Sequence, residues 1–381
     1  MRVLVAVWAW PTHFYPLVPL SSALRAAGHE VLVASQPALL PAIRRSGLPG
    51  AVVGPDVAGP SAIADTVRTA GGTSRPRLSL SVRMAEVMLD GLIELGRRFR
   101  PDVILYEPTS YAGPLAAAVL GVPAVRHLWG IDIHRAARAH EPAAFAGLAA
   151  AYGVAGFRPQ GLATVDPCPA SIQVGSDGIR IAQRFIPFNG SGPMPRWLAE
   201  PPRRRRVCVS WGVAQSHRTA PEHATRLRAL TTGLLPLLDL GVDLIVTVAP
   251  ADRAALTGLP TRVRLATMIP LSLVTPSCDL LISRGGNGTL MTAMVSGTPQ
   301  LLVVSQYTEE QSAQALAQAG AGRMLHESQV SPAEVAEHAA ALLDSDDTRK
   351  RAAELSRESC ARPAPARVAA ELEHLIGSGV R

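Results

Sequence analysis

Short apolar runs of strand length, closed by glycine or proline and separated by stretches of helical period, recur from one end of this chain to the other. That alternation restricts the fold more than any other feature. Arg2 to Trp10 is the first such run, and a Pro11-Thr12-His13 turn, a helical pattern from about Tyr15 to Ala27 and the stop Gly28-His29 follow it. Val31 to Ala34 makes the next strand, while Val103 to Tyr106 and Ala124 to Leu128 flank an Ala-rich helical stretch, Leu115 to Leu120. Strands that alternate with helices in this way predict a parallel sheet covered on both faces.

The pattern loosens at Asn189-Gly190-Ser191-Gly192-Pro193 and again at Pro201-Pro202-Arg203, where turn formers accumulate. It then restarts, with strands at Val207 to Trp211, Leu244 to Val248, Val263 to Met268, Leu280 to Ser283 and Leu301 to Val304. Helical patterns lie near Pro221 to Leu238, at 288–296 and at 312–319. The expected organisation is a first domain over 1–190, a linker over 191–204 and a second domain over 205–381. Both are α/β and doubly wound. Ligands of such sheets bind beyond the carboxyl ends of the strands, and two of them facing one another would make a cleft.

A length of 381 residues suits two domains of this size, and 48% apolar against 18% charged residues excludes global disorder. The net charge of +7 would permit a nucleic-acid partner, but Lys350 is the only lysine, and the one basic run, Arg203 to Arg206, has no interleaved aromatics. A solvated linker is the expected role of that run. Four cysteines, Cys168, Cys208, Cys278 and Cys360, lie far apart without metal-ligand spacing, which predicts reduced thiols in a cytoplasmic protein. The first apolar run is too short to span a membrane and reads as a buried strand.

Candidate site residues follow the strands. Ser283-Arg284-Gly285-Gly286-Asn287-Gly288-Thr289 lies between a strand and a helix. Its glycines let the backbone approach an anion, the free N–H groups of the first helical turn are positively polarised, and Arg284 adds a forked donor. A tight strand-to-helix turn is the plainer alternative. His13 occupies the turn after the first strand, where an imidazole can accept a proton if a carboxylate orients its other nitrogen. Glu107, after the strand at Val103, is the leading carboxylate. Asp132 and His134 form a second polar pair at the same sheet end, for substrate contact or for capping and solvation. Asp344-Ser345-Asp346 has the letters of a metal site but falls between helices, so capping is expected. Nothing in the sequence calls for a metal.

These residues together resemble the GT-B glycosyltransferases that move deoxysugars from nucleotide diphosphates onto bacterial natural products. The resemblance rests on Met1-Arg2-Val3-Leu4-Val5 with Pro11-Thr12-His13 and Pro19-Leu20. It continues through Arg25-Ala26-Ala27-Gly28-His29-Glu30-Val31, Pro101 to Glu107, Leu128 to Asp132 and Pro187 to Gly192, and then Gly285 to Thr289 with Gly297-Thr298-Pro299-Gln300-Leu301. It implies an acceptor-binding first domain and a second domain that binds a TDP-sugar, with the diphosphate on Ser283 to Thr289 and the base near Met268 and Pro270. It further implies an inverting, metal-independent transfer with His13 as general base and Glu107 as its orienting group. Small-molecule aglycone and nucleotide sugar are then the partners, with no nucleic acid or membrane and with a homodimer left open.

Two positions depart from the family pattern. Ser283-Arg284 stands where one or two histidines are common, and Thr308-Glu309 stands where an Asp-Gln pair usually holds the sugar, with Glu310-Gln311 close behind. A nucleotide-sugar epimerase or hydrolase of the same architecture, or a non-catalytic binding partner, remains the competing reading. The long segments Gly54 to Arg83 and His134 to Gly156 are expected to line an apolar acceptor pocket, unless they are helical.

Overall fold

A computed structural model describes residues 1–57, 75–175, 178–211, 220–305 and 307–378, with the side chains of 75–77, 136, 220–223, 307 and 308 left aside. The chain divides into two compact units. One comprises Met1–Cys168, Val174–Gly190 and Arg362–Arg381, and the other Pro169–Gln173 and Ser191–Ala361.

The first unit holds β1 (Arg2–Ala6), β2 (Glu30–Ser35), β3 (Gly50–Val52), β4 (Val103–Tyr106), β5 (Ala124–His127), β6 (Ala163–Asp166) and β7 (Ile179–Ala182). They form one parallel sheet in the order β3-β2-β1-β4-β5-β6-β7. Alternate side chains of β1 are buried on opposite faces. Val3 and Val5 pack with Leu20 and Leu24 of the helix Val18–Ala26, while Leu4 and Ala6 join Met88 and Leu89 of the helix Arg75–Phe99. Burial of each Val or Leu is worth roughly 1.5–3 kcal/mol, so a strand apolar at every position is stable only when both faces are covered.

The second unit holds β8 (Arg206–Ser210), β9 (Asp243–Val248), β10 (Val263–Thr267), β11 (Leu280–Ser283), β12 (Gln300–Val304) and β13 (Gly322–His326). Its sheet is also parallel, in the order β10-β9-β8-β11-β12-β13. In each sheet the strand order reverses once, between β1 and β4 and between β8 and β11. Connections leave these paired strands toward opposite sides, which opens a crevice at their carboxyl ends.

Several elements differ from the sequence reading. The first helical turn begins at Pro11, not Tyr15, and runs Pro11–Phe14 before a 3-10 turn, Tyr15–Leu17, and the helix Val18–Ala26. Proline at the first helical position fixes φ and has no N–H to leave unpaired. The segment expected as a loop up to Arg83 is helical from Arg75, and residues 58–74 of it lie outside the described residues. Likewise His134 to Gly156 is largely a 3-10 turn, Arg135–His140, and a helix, Glu141–Ala151.

The basic run is not simply solvated: Arg206 is buried with its guanidinium 5.7 Å from the ring centroid of Trp197, and Arg205 donates to Asp344 Oδ1 at 2.8 Å. Ser345 caps the helix Asp346–Ala361 by accepting from Thr348 N at 3.2 Å, as expected of that polar stretch. The sequence reading ran the second domain to the last residue, whereas the helix Pro365–Gly377 buries Val368, Ala369 and Leu372 in the core of the first unit. Its apolar stripe announces burial but not the partner. Among the described residues no helix is long and apolar enough to cross a membrane.

Candidate functional site

At the reversal of the first sheet, β1 and β4 run side by side, with Ala6 paired to Tyr106. The chain beyond each strand brings His13 and Glu107 together, with His13 Nδ1 3.5 Å from Glu107 Oε2. The Glu107 carboxylate is wholly buried and accepts from Thr109 N at 2.9 Å, from Thr109 Oγ1 at 2.9 Å and from Ser110 Oγ at 2.5 Å. Burial pushes this carboxyl up, but the adjacent His13 and the hydrogen bonds from His13, Ser110 and Thr109 outweigh burial and hold it below its ordinary value. Glu107 is therefore ionised at neutral pH and fixed in place.

Thr109 ties the cluster to its walls. Its hydroxyl lies 3.3 Å from His13 Nδ1 and accepts from Trp8 Nε1 at 2.8 Å, while Trp8 N donates to Ser110 Oγ at 3.1 Å. Three indoles surround the imidazole: Trp129 with ring centroids 4.0 Å apart, Trp8 at 5.0 Å and Trp10 at 6.4 Å. Since Nδ1 is taken up by Glu107 and Thr109, Nε2 is the ring nitrogen available to a ligand. Thr109, Ser110 and the tryptophans were missed by sequence reasoning, although Thr and Ser directly after a post-strand glutamate are a readable cue.

Asp132 and His134 are placed differently from the His13–Glu107 pair. The Asp132 carboxylate is fully buried among arginines, in contact with Arg138, 3.6 Å from Arg126 and 3.5 Å from Arg180, which also holds Asp166 at 2.6 Å. A carboxylate so enclosed balances buried positive charge. The sequence leaves Asp132 as a substrate contact or as a capping or solvated residue, and in the structure its carboxylate is enclosed by arginines rather than solvated. His134 packs edge-on against Trp129, ring centroids 5.2 Å apart, and Trp129 in turn lies against His13.

At the reversal of the second sheet, Ser283 closes β11 and its hydroxyl accepts from Gly285 N at 3.3 Å. Gly285 has φ +83°, a left-handed conformation that any side chain would strain, and Gly286 precedes the helix Asn287–Val295. A Cβ built at Gly286 or Gly288 would meet no heavy atom within 4 Å, so neither glycine is packed against a neighbour on its side-chain side. Asn287 Oδ1 accepts from Ser312 Oγ at 3.1 Å, and Thr289 N is bonded to Gly286 O at 3.0 Å.

Arg284 is buried, in contact with Ser305 Oγ through NH2, with NH1 3.4 Å from Glu327 Oε2 and NH2 3.6 Å from Glu309 Oε2. Glu309 is thus joined to the glycine turn. Glu310 instead pairs with His326 at 3.8 Å and lines a cavity of about 440 Å3 with Arg226, Ser305 and Glu327. The Thr308 side chain lies outside the described residues. Met268 is 59% exposed and has φ +56°, rare for a residue with a side chain, and its carbonyl is so close to Gly192 that a Cβ there would lie 2.3 Å away. Among the described residues no group of three or more His, Cys, Asp or Glu is placed to hold a metal ion.

Comparison with known proteins identifies the family. Residues 22–212 match the model of the erythromycin biosynthesis protein CIII-like N-terminal domain, and residues 233–375 that of the corresponding C-terminal domain. The chain is 33% identical to 10-deoxymethynolide desosaminyltransferase of Streptomyces venezuelae, over 98% of this chain and 97% of that protein. It is also 33% identical to L-demethylnoviosyl transferase of Streptomyces niveus, over 97% of each. Among solved structures, spinosyn rhamnosyltransferase SpnG complexed with thymidine diphosphate superposes with a TM-score of 0.85 at 32% identity, covering 98% of this chain and all of that one. With both halves matched in order, the chain belongs to the erythromycin biosynthesis protein CIII-like family and is a glycosyltransferase of the GT-B fold.

Proposed function

We propose that this enzyme transfers a deoxysugar from a thymidine diphosphate donor to a hydroxyl of a hydrophobic natural-product aglycone, with inversion at the anomeric carbon. The observation that carries the reading is the His13–Glu107 pair, whose carboxylate is buried, ionised and held by hydrogen bonds from Thr109 and Ser110. Nδ1 is occupied on the Glu107 side, so Nε2 takes the proton of the acceptor hydroxyl as its oxygen attacks, and Glu107 stabilises the imidazolium that results. The bond from the anomeric carbon to the diphosphate oxygen breaks through an oxocarbenium-like transition state. A single displacement of this kind inverts configuration.

Leaving-group charge falls on the second unit. The N–H groups at the start of the helix Asn287–Val295, with Ser283, Gly285 to Thr289 and Arg284, receive the diphosphate. Preorganised donors of this type stabilise charge without reorganising during the reaction. Glu309, bonded to Ser305 N at 3.3 Å beside Arg284, faces the sugar, and Met268 presents its exposed side chain to the base. The support for thymidine and for deoxysugars is the set of relatives named for desosaminyl and mycaminosyl transfer and the SpnG complex with thymidine diphosphate.

Two measurements test the sugar-donor half. Calorimetry of Arg284→Ala with thymidine diphosphate is expected to show at least about tenfold weaker binding, the loss of one charge-assisted contact, with aglycone affinity retained. Equal affinity in variant and parent would remove Arg284 from the phosphate site. Turnover in EDTA is expected to match turnover without it, because leaving-group charge is assigned here to Arg284 and the helix start; a drop restored by a divalent cation would contradict that assignment.

A further inference from the structure

Trp211 has had no part in the site so far. It follows β8 as Arg284 follows β11, and the register that pairs Ser210 with Ser283 places the two residues side by side at the reversal of the second sheet. Both are buried, Trp211 at 3% exposure and Arg284 at 8%, with the guanidinium carbon 5.7 Å from the indole ring centroid. The terminal nitrogens of Arg284 are spoken for by Ser305, Glu309 and Glu327. Arg284 Nε and Trp211 Nε1 are instead buried with no hydrogen-bond partner among the described residues.

A buried donor without an acceptor costs about 1–3 kcal/mol, and folded proteins contain few of them. Two on neighbouring strands, at the carboxyl ends where sheets of this class bind ligands, indicate donors that a ligand satisfies. Both groups can only donate, and one belongs to a cation, so the missing partner is an anionic oxygen. The adjoining Gly285 turn and the start of the helix Asn287–Val295 favour the same kind of ligand.

We propose that the Trp211 indole N–H and the Arg284 Nε–H together bind an oxygen of the nucleoside diphosphate, making Trp211 a binding residue of the sugar-donor site. Glu309 and Glu327 act as positioning residues, because they hold the terminal nitrogens and so leave the Nε edge for the ligand. The inference rests on the proposal that the second unit binds a nucleoside diphosphate.

Trp211→Phe keeps an aromatic face beside Arg284 and removes only the N–H. The expected result is about tenfold weaker binding of thymidine diphosphate by calorimetry. Urea unfolding of the ligand-free variant is expected at the parent's midpoint or above, since an unsatisfied buried donor is gone. Loss of ligand-free stability together with affinity would mark a packing role and overturn the proposal. Unchanged affinity in Trp211→Phe beside weakened binding in Arg284→Ala would overturn it while leaving the sugar-donor reading intact; failure of the parent to bind any nucleoside diphosphate would overturn both. In protein carrying 15N-tryptophan, the one of five indole resonances that Trp211→Phe removes is expected to shift when thymidine diphosphate is added, and a resonance that stays in place would refute the contact.

Discussion

His13→Ala is expected to lower turnover by about a hundredfold or more while thymidine diphosphate affinity, measured by calorimetry, stays near the parent value. The imidazole lies in the first unit and is fixed there by Glu107 and Thr109, so its loss removes the base without touching the glycine turn of the second. Glu107→Gln keeps the shape of the carboxylate but not its charge, and should cost less than His13→Ala, because the ring can still be oriented. Residues that act as a unit are not additive. The double variant should therefore be about as slow as His13→Ala alone. Near-normal turnover of His13→Ala on an alcohol acceptor would eliminate the base assignment, and a double variant showing the full product of the two losses would separate Glu107 from His13.

A second large effect concerns stability in acid. His127, at the end of β5, is fully buried, with Nδ1 donating to Leu128 O at 2.7 Å and Nε2 accepting from Gln183 Nε2 at 3.2 Å. Burial pulls its pKa from 6.5 down to about 4, against the smaller opposing pull of its backbone hydrogen bonds. Between those values the unfolded chain takes up a proton that the folded chain refuses, so stability falls as pH drops from 6.5 toward 4. The full loss amounts to about 3 kcal/mol, and none of it is felt above the upper value. Glu107, held below its ordinary value, adds a further loss only at more acid pH. His127→Asn keeps a donor at the position of Nδ1 for Leu128 O and does not titrate, although it is too short to reach Gln183. Urea unfolding at a series of pH values should therefore show a shallower acid decline in the variant than in the parent, and parallel curves would refute the assignment.

What could be read from the sequence follows from how far each partner lies along the chain. Strands β1, β4, β5, β8, β9, β11 and β12 announce themselves as apolar runs, whereas the buried β6, Ala163-Thr164-Val165-Asp166, does not. His13, Glu107 and the glycine turn were legible because each directly follows such a run. Strand β13, Gly322-Arg323-Met324-Leu325-His326, was not, since it lies at a sheet edge with an exposed Arg323 and carries no clean period. Asp132 looked like a site residue because its position after β5 was visible, whereas the arginines that enclose it come from three separate segments. Glu327 was invisible for the same reason: it meets Arg284 across 43 residues. In the sequence Trp211 reads as the last residue of a strand, and only the pairing of β8 with β11 brings it to Arg284.

The C-terminal helix Pro365–Gly377 packs in the core of the first unit although the chain reaches it only after completing the second. The second unit is therefore inserted into the first, and a cut near Gly190 does not yield the first unit whole. A fragment ending there would lack Val368, Ala369 and Leu372 and would expose the apolar surface around Val3, Val5 and Leu20 that they cover. For the exchange of halves between relatives, the unit that carries His13 has to travel with residues 362–381 from the same parent. A hybrid joined at a single crossover would place one protein's terminal helix against another's sheet, and a loss of acceptor turnover in such a hybrid would report mismatched packing before it reported specificity.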